Sequence, residues 1–385
     1  MGRIHVIHVV ESSKRQSWFE KLVNRLSQNS ISQSVVTLER AGDLNDFLSQ
    51  IPLQVFSPSG ERLVSVTLQV VKMVRQARKK DSINFLLLHG HKASLIGLLS
   101  ARVAKLDYGI VHHVQPKYFQ LLRSRYPVRG FVHQFIYQYY VRQAKIIQSL
   151  SKEVTKSLTA SGYEPKRIVA VGHGIDFEAF QKSAESIANE AQMMVGFPRI
   201  LMVGRLAWEK NYPLAIEVFA KLLKSFPEAH LLIAGSGPAE NEIKALTERF
   251  NVSDNVSLLG RVENVSQLMV QSDLLMHFAL TESYGQVYIE ACLTGLPIFT
   301  FPAGIAIDLS EESDSLIHLL TKSDPEWISQ QICKFLDSSP KRQPPNFAFM
   351  RNHYRKHDQE EVFQEISKYL LRLIPELDQE GNESR

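Results

Sequence analysis

Short β-branched and apolar runs alternate with helical patterns along most of this chain, in two successive series, and that rhythm restricts the fold more than any other feature of the sequence. Arg3–Val10 reads as a strand, Trp18, Leu22 and Leu26 recur at helical spacing, and Ser34–Leu38 reads as a strand again. A helix over Leu63–Arg78, a strand at Asn84–His89, a helix over Ala93–Ala104 and a strand at Gly109–Val114 follow, and strands at Lys145–Ser149 and Ile168–Val171 complete a parallel sheet. Between Phe177 and Pro198 the pattern breaks into a polar stretch with no strand signal, where a domain boundary belongs. The rhythm then restarts at Arg199–Val203, His230–Ala234, Val256–Leu259, Leu274–Phe278 and Pro297–Phe301, each an apolar run followed by a turn and a helical pattern. Beyond a Pro-rich stretch around Ser338–Asn346, Phe363, Ile366, Leu370 and Leu373 mark a last amphipathic helix, with a tail, GNESR, expected to fray.

The expectation is an α/β protein of two Rossmann-like, doubly wound domains, 1–185 and 186–350, with a C-terminal helix in 351–385 that is able to cross back to the first domain. Two such domains facing each other across a cleft would bind ligands at the carboxyl ends of their strands, where helix N-termini point inward. The length of 385 residues suits two cores, and 44% hydrophobic with 22% charged residues excludes disorder as the main theme. A formal charge of +4 is too mild for a nucleic-acid binder. Two cysteines, Cys292 and Cys333, supply neither a disulfide framework nor a thiolate metal cage, which fits a reducing cytoplasm. The opening MGRIHVIHVV alternates apolar residues with His and has no cleavage site after it, so it reads as a strand and not as a signal peptide. No apolar run approaches the ~18 to 20 residues of a membrane span.

Three segments carry candidate chemistry. In Thr281 to Ala291, Glu282 lies in a loop and Glu290 lies inside a helix among Val287, Tyr288, Ile289, Ala291 and Cys292. A carboxylate in such apolar company needs hydrogen-bond donors, and sugar hydroxyls are suitable ones. Ser283, Tyr284 and Gly285 between the two acids form a turn whose backbone N–H groups suit a phosphate. In the second segment Gly204 lets the chain bend at a strand end, and Arg205 and Lys210 place two cations complementary to a diphosphate. In the third, Gly235 and Gly237 end another strand, but Glu240 stands where a dinucleotide fingerprint has its third glycine. Taken singly, Glu282 reads as a solvated helix charge, Glu290 as a salt-bridged core residue, and Arg205 and Lys210 as ordinary surface charge or as a diphosphate site.

Together these segments resemble the family-4 retaining glycosyltransferases of the GT-B fold: Gly204-Arg205-Leu206 to Lys210, Leu232 to Pro238, Leu259-Gly260-Arg261-Val262 and the Glu282/Glu290 pair occur in order. The resemblance implies that Arg205 and Lys210 bind the diphosphate of a nucleotide sugar and stabilise the departing nucleotide. It implies further that Glu282 touches the transferred sugar, that Glu290 holds the ribose, that Ser283, Tyr284 and Gly285 meet phosphate or sugar through the backbone, and that Gly260, Arg261 and Val262 border the base. Gly204 and Gly237 complete the donor set. Charge growing on the leaving diphosphate would be met by fixed cations, so no metal and no other cofactor is expected, and no Asp-x-Asp motif is present.

The amino-terminal half would take a glycan or lipid-linked acceptor, and it departs from the family pattern. His89-Gly90-His91 resembles a His-rich turn of the family, and His173 stands where Asn is usual. Lys14, Arg15 and Gln16 lie where a Gly-Gly turn is usual, and His113 or Gln115 falls at a position the family gives to His. From Tyr108 to Lys152 there is no Asp or Glu, while Arg and Lys interleave with Phe and Tyr, so 117–145 is a candidate for contact with an anionic membrane. The alternative is that these aromatics face the sheet and the cations face water. The resulting expectation is a cytoplasmic enzyme, peripheral at the inner membrane face, acting in cell-surface glycan or glycolipid synthesis. A nucleotide-sugar epimerase or hydrolase on the same fold and a non-catalytic sugar-binding protein are the rivals, and the incomplete glycine fingerprint counts against a nicotinamide oxidoreductase.

Overall fold

The computed structural model describes residues 3–12, 17–29, 31–60, 63–111, 116–186, 196–312, 316–338 and 345–383. The chain forms two compact units, Met1–His173 together with Glu360–Arg385, and Gly174–Gln359. In chain order the first unit holds β1 (Arg3–Val10), α1 (Ser17–Gln28), β2 (Ser32–Thr37), α2 (Asp43–Leu48), β3 (Gln54–Phe56), α3 (Leu63–Ala77), β4 (Ser82–His89), α4 (His91–Ala104), β5 (Asp107–Val111), α5 (Pro116–Arg125), α6 (Pro127–Gln143), β6 (Ile146–Ser149), α7 (Lys152–Ala160) and β7 (Ile168–Ala170). The second continues with α8 (Phe177–Glu185), β8 (Arg199–Val203), α9 (Tyr212–Leu222), β9 (His230–Ala234), α10 (Glu240–Arg249), β10 (Val256–Gly260), α11 (Val265–Gln271), β11 (Leu274–His277), α12 (Gln286–Leu293), β12 (Ile298–Thr300), α13 (Ala306–Ser310), β13 (Ile317–Leu319), α14 (Pro325–Ser338) and α15 (Phe347–His353). A long helix, α16 (Gln359–Glu383), closes the chain.

Both sheets are parallel, ordered β3-β2-β1-β4-β5-β6-β7 and β10-β9-β8-β11-β12-β13. Each is a Rossmann arrangement in which the winding reverses once, between β1 and β4 in the first unit and between β8 and β11 in the second. Strands covered on both faces must be apolar throughout, and Val6, Ile7 and Val9 of β1 are fully buried, as are Ile200 and Leu201 of β8. One face of the first sheet is closed by α1 and α16: Leu22 and Leu26 share a core with Val6, Phe85, Val362, Phe363 and Ile366. The period of three to four residues in α16 is thus a stripe facing a sheet, and each of its large side chains contributes on the order of 2 kcal/mol by burial.

The compact units differ from the boundaries read at 185/186 and 350/351 because α8 belongs with the second unit, and so does the chain up to Gln359. Asp176 Oδ1 caps α8 by accepting from the Ala179 N–H at 3.0 Å, and Ser183 Oγ meets Ser266 Oγ of α11 at 2.9 Å. Two strands have no counterpart in the sequence reading, β3 and β13, each three residues long. Of the tail, Gly381 to Glu383 continue α16, and the last two residues lie outside the described ones.

Candidate functional site

The switch point of the second sheet brings the turn after β8 beside the turn after β11. Lys210 ends a 3-10 turn at Trp208–Lys210, and its Nζ donates to Glu282 Oε2 at 2.5 Å. Both side chains are mostly buried. His277, the last residue of β11, places Nε2 3.4 Å from the same oxygen. Burial would raise the Glu282 carboxyl, but the hydrogen bond from His277 and the Lys210 charge outweigh it and hold the pKa at about 2. His277 is itself lowered by burial and by Lys210, so it meets Glu282 as a neutral donor. The loops are pinned together by the Leu280 N–H donating to the Glu209 carbonyl at 2.8 Å. A fixed cation and a fixed carboxylate are thereby held in a desolvated place, where their interaction with a ligand's charge or hydroxyls is least screened.

Gly204 lies under Lys210, since a Cβ there would stand 3.5 Å from Lys210 Cε. Gly235 has a stricter reason to be glycine: a Cβ would fall 1.8 Å from the Gly204 carbonyl oxygen, at a φ of +151°. Gly237 is packed in the same way onto Leu206, whose N–H donates to the Ser236 carbonyl at 3.0 Å. Gly235 and Gly237 therefore set the shape of the Gly204–Leu206 turn. Arg205 is oriented by Glu209, whose Oε1 accepts from its guanidinium, while most of the Arg205 side chain stays exposed. Glu209 is buried, and its Oε2 has no hydrogen-bond partner among the described residues.

The turn after β11 behaves less uniformly than expected. Ser283 donates its N–H to Glu282 Oε1 at 3.3 Å. Tyr284 turns inward: it is buried, its carbonyl accepts from the Ile305 N–H at 2.9 Å, and its hydroxyl lies 3.1 Å from His357 Nδ1. Any contact of Tyr284 with a ligand would thus fall to its backbone. Gly285, with φ +85°, is the N-cap of α12. Glu290 sits in the first turns of α12, and burial raises its carboxyl to about 7, with no hydrogen-bond or ion-pair partner among the described residues. Val262 follows β10, the edge strand, and is half-buried two strands away from β8. Contact joins Gly204, Lys210, Glu282, Ser283 and Gly285 into one cluster with Arg205 alongside; no hydrogen bond or ion pair among the described residues links it to Val262. Sequence reasoning passed over His277 and Glu209, although a His ending an apolar strand and an acid next to Lys210 were both available as signals.

In the first unit, His89 ends β4, and Trp18 packs edge-on between His89 and His173, with centroids at 6.5 and 5.1 Å. Lys14, Arg15, Gln16, His113 and Gln115 lie outside the described residues. The basic and aromatic segment divides by helical phase. Phe119, Tyr137 and Tyr140 are buried against the sheet, whereas Val128, Phe131, Val132, Phe135 and Tyr139 form an exposed stripe along α6, Phe135 at 64% and Val128 at 81%. Arg123, Arg125, Arg129 and Arg142 are exposed around that stripe. Among the described residues no helix is long and apolar enough to cross a membrane.

Residues 183–346 match the family model described as Glycosyl transferases group 1. The phosphatidylinositol N-acetylglucosaminyltransferase gpi3 subunit of Schizosaccharomyces pombe is 28% identical over 142 residues, 36% of this chain and 30% of that relative. The alpha-monoglucosyldiacylglycerol synthase of Streptococcus pneumoniae is 22% identical over 222 residues, 53% of this chain and 48% of that protein. The chain thus spans less than half the length of these curated relatives. The crystal structure of Anabaena HepE in complex with UDP and glucose superimposes with a TM-score of 0.71 at 17% identity, covering 96% of this chain and 99% of that one. The chain has the GT-B glycosyltransferase fold, and the part of it that holds the Lys210–Glu282 cluster matches the group 1 glycosyl transferases.

Proposed function

We propose that this protein is a family-4 retaining glycosyltransferase that moves a sugar from a nucleoside-diphosphate donor to a glycan or lipid-linked acceptor in cell-surface glycan or glycolipid synthesis. The observation that carries this reading is the Lys210–Glu282 pair at the switch point of the second sheet, 2.5 Å apart. A diphosphate arriving there would draw Lys210 and Arg205 toward its oxygens and release the Glu282 carboxylate to accept hydrogen bonds from sugar hydroxyls. Negative charge grows on the diphosphate as the glycosidic bond breaks, so both cations act more strongly in the transition state than before it. Glu290, its carboxyl raised by burial to about 7 and so only partly ionised at neutral pH, would be fully ionised by two ribose hydroxyls donating to it. This assignment asks for no metal, and among the described residues no cluster of three His, Cys, Asp or Glu side chains has the geometry to hold one.

A UDP donor is supported by the UDP and glucose of the HepE complex, and a lipid acceptor by the names of the two curated relatives. The exposed stripe of α6 with its arginines supports work at an anionic membrane surface on the cytoplasmic side. The deciding experiment is a thermal-shift screen with UDP, GDP and ADP, followed by turnover of UDP-glucose and UDP-N-acetylglucosamine with vesicles containing diacylglycerol or phosphatidylinositol. A saturating nucleotide at ~100 times its Kd adds about 2.7 kcal/mol of stability, and no shift with any of the three would overturn the reading. Chelator is expected to leave the rate unchanged.

A further inference from the structure

Glu282 is met by donors of unequal charge. Lys210 Nζ, at 2.5 Å, and His277 Nε2, at 3.4 Å, share its Oε2, while the Ser283 N–H reaches Oε1. An ionised carboxylate only accepts, so the His277 proton is on Nε2. The ring is held where it is. His277 is buried at the end of β11, Thr300 Oγ1 donates to its carbonyl at 2.8 Å, and the Tyr288 ring of α12 meets it edge-on with centroids 5.0 Å apart. The charges that act on it are those of Lys210, in the turn after β8, and of Glu282 itself. Burial lowers its pKa first and the Lys210 charge lowers it further, so the ring is neutral.

We propose that His277 is a positioning residue that keeps the Glu282 carboxylate ionised and in place after a diphosphate has drawn Lys210 away. A diphosphate competes with Glu282 for Lys210 because the lysine carries a full charge, whereas a neutral imidazole has no net charge for it to pull on. With Lys210 gone and no other donor at Oε2, burial would favour the protonated carboxyl, and that form offers sugar hydroxyls fewer lone pairs. Burial is the largest influence on the Glu282 carboxyl, and the His277 hydrogen bond is the largest of those that oppose it, ahead of the Lys210 charge. The neutral donor is therefore the one suited to stay with the acid while the charged donor follows the ligand. The diphosphate in this inference rests on the glycosyltransferase reading, but the hold of His277 on Glu282 in the absence of the Lys210 charge does not.

Lys210→Ala in the full chain stands in for the withdrawn lysine without any ligand. Nitrogen-detected NMR of that variant at pH 7.5 should show His277 with a protonated Nε2 and a bare Nδ1, and the same signals are expected in the UDP complex of the unmodified protein. Followed by carbon-detected NMR, the Glu282 carboxyl should titrate at least about one pH unit higher in Lys210→Ala/His277→Leu than in Lys210→Ala alone, and Lys210→Ala/His277→Gln, which keeps an N–H donor, should titrate like the single variant. In turnover of saturating UDP-glucose with diacylglycerol vesicles, or of UDP-N-acetylglucosamine with phosphatidylinositol vesicles, His277→Leu should lose at least about tenfold in kcat at pH 6.5. The acid limb of its kcat profile should move up by about one pH unit, with recovery of both in His277→Gln and a UDP-induced thermal shift like that of the unmodified protein. A doubly protonated His277 in Lys210→Ala or in the UDP complex, an unmoved Glu282 titration, or an unmoved acid limb in His277→Leu overturns the proposal. Should the His277→Leu variants not fold, the ring-nitrogen signals of Lys210→Ala decide it. Should UDP give no thermal shift and neither sugar be transferred, the failure is that of the glycosyltransferase reading, and the Lys210→Ala series alone decides what His277 does for Glu282.

Discussion

Lys210 and Glu282 illustrate how two ordinary charges become a site once a fold desolvates them against each other. Lys210→Ala and Arg205→Ala should each lower turnover roughly 100-fold or more with unchanged circular dichroism, the cost of removing one preorganised charge from a transition state; activity within twofold of the unmodified protein in both would contradict their role. Glu282 and Glu290 carry opposite pH signatures. The Glu282 carboxyl is held at about 2, below its ordinary value of 4.5, so the stability it contributes is complete above pH 5 and disappears as pH falls toward 2. In Glu282→Gln the acid limb of a denaturation series should flatten, by up to about 3 kcal/mol across that window. The Glu290 carboxyl is raised to about 7, so the unfolded chain loses its proton first and stability declines between pH 4.5 and 7. Glu290→Gln should therefore be neutral at pH 4 and stabilising at pH 8 in the absence of nucleotide, and should weaken UDP binding measured by calorimetry. In the unmodified protein that binding should release a proton, seen as a dependence of the heat on buffer.

At the scale of elements, most strands of both sheets were legible because buried parallel strands spell themselves as apolar runs, as Ile200 to Val203 and Leu274 to Met276 do. The strands that escaped were three-residue edge pieces: Gln54–Phe56 is polar at one end and half exposed, so no periodicity could separate it from a loop. The turns after β8, β9 and β11 were legible as glycines and charges at strand ends, whereas the contact of His277 with Glu282 was not, because a histidine in an apolar run looks the same whether it caps a carboxylate or fills space. Helix α6 hid its duality for a related reason, aromatic residues being placed on both of its faces. Phe135→Ser and Arg129→Glu should each reduce pelleting with phosphatidylglycerol vesicles at low salt while moving Tm little, since exposed substitutions change stability by about 0.5 kcal/mol or less. Phe363→Ala on α16, whose ring is fully buried, is expected instead to cost about 3 to 5 kcal/mol in urea denaturation.

At the scale of the whole molecule, the two units are unequal in how they are assembled from the sequence. Gly174–Gln359 is one continuous stretch, while the other unit needs both ends of the chain, with Phe363, Ile366 and Leu370 completing the core around Val6 and Leu22. The last helix was readable as amphipathic from its spacing, but nothing local in it names the sheet that it covers. A fragment of residues 174–359 should unfold cooperatively by calorimetry and keep its UDP-induced shift. A fragment of residues 1–173 should bind a hydrophobic dye and aggregate until 360–383 is supplied through a flexible linker.

That discontinuity has a temporal side. A nascent chain leaves the ribosome amino end first, so residues 1–173 must wait, with one sheet face covered by α1 alone, until 360–383 emerge, while 174–359 between them form their own compact unit. The half expected to receive the acceptor is therefore the last to mature, and any premature stop within α16 would release a protein whose unit 174–359 is folded and whose other unit cannot close.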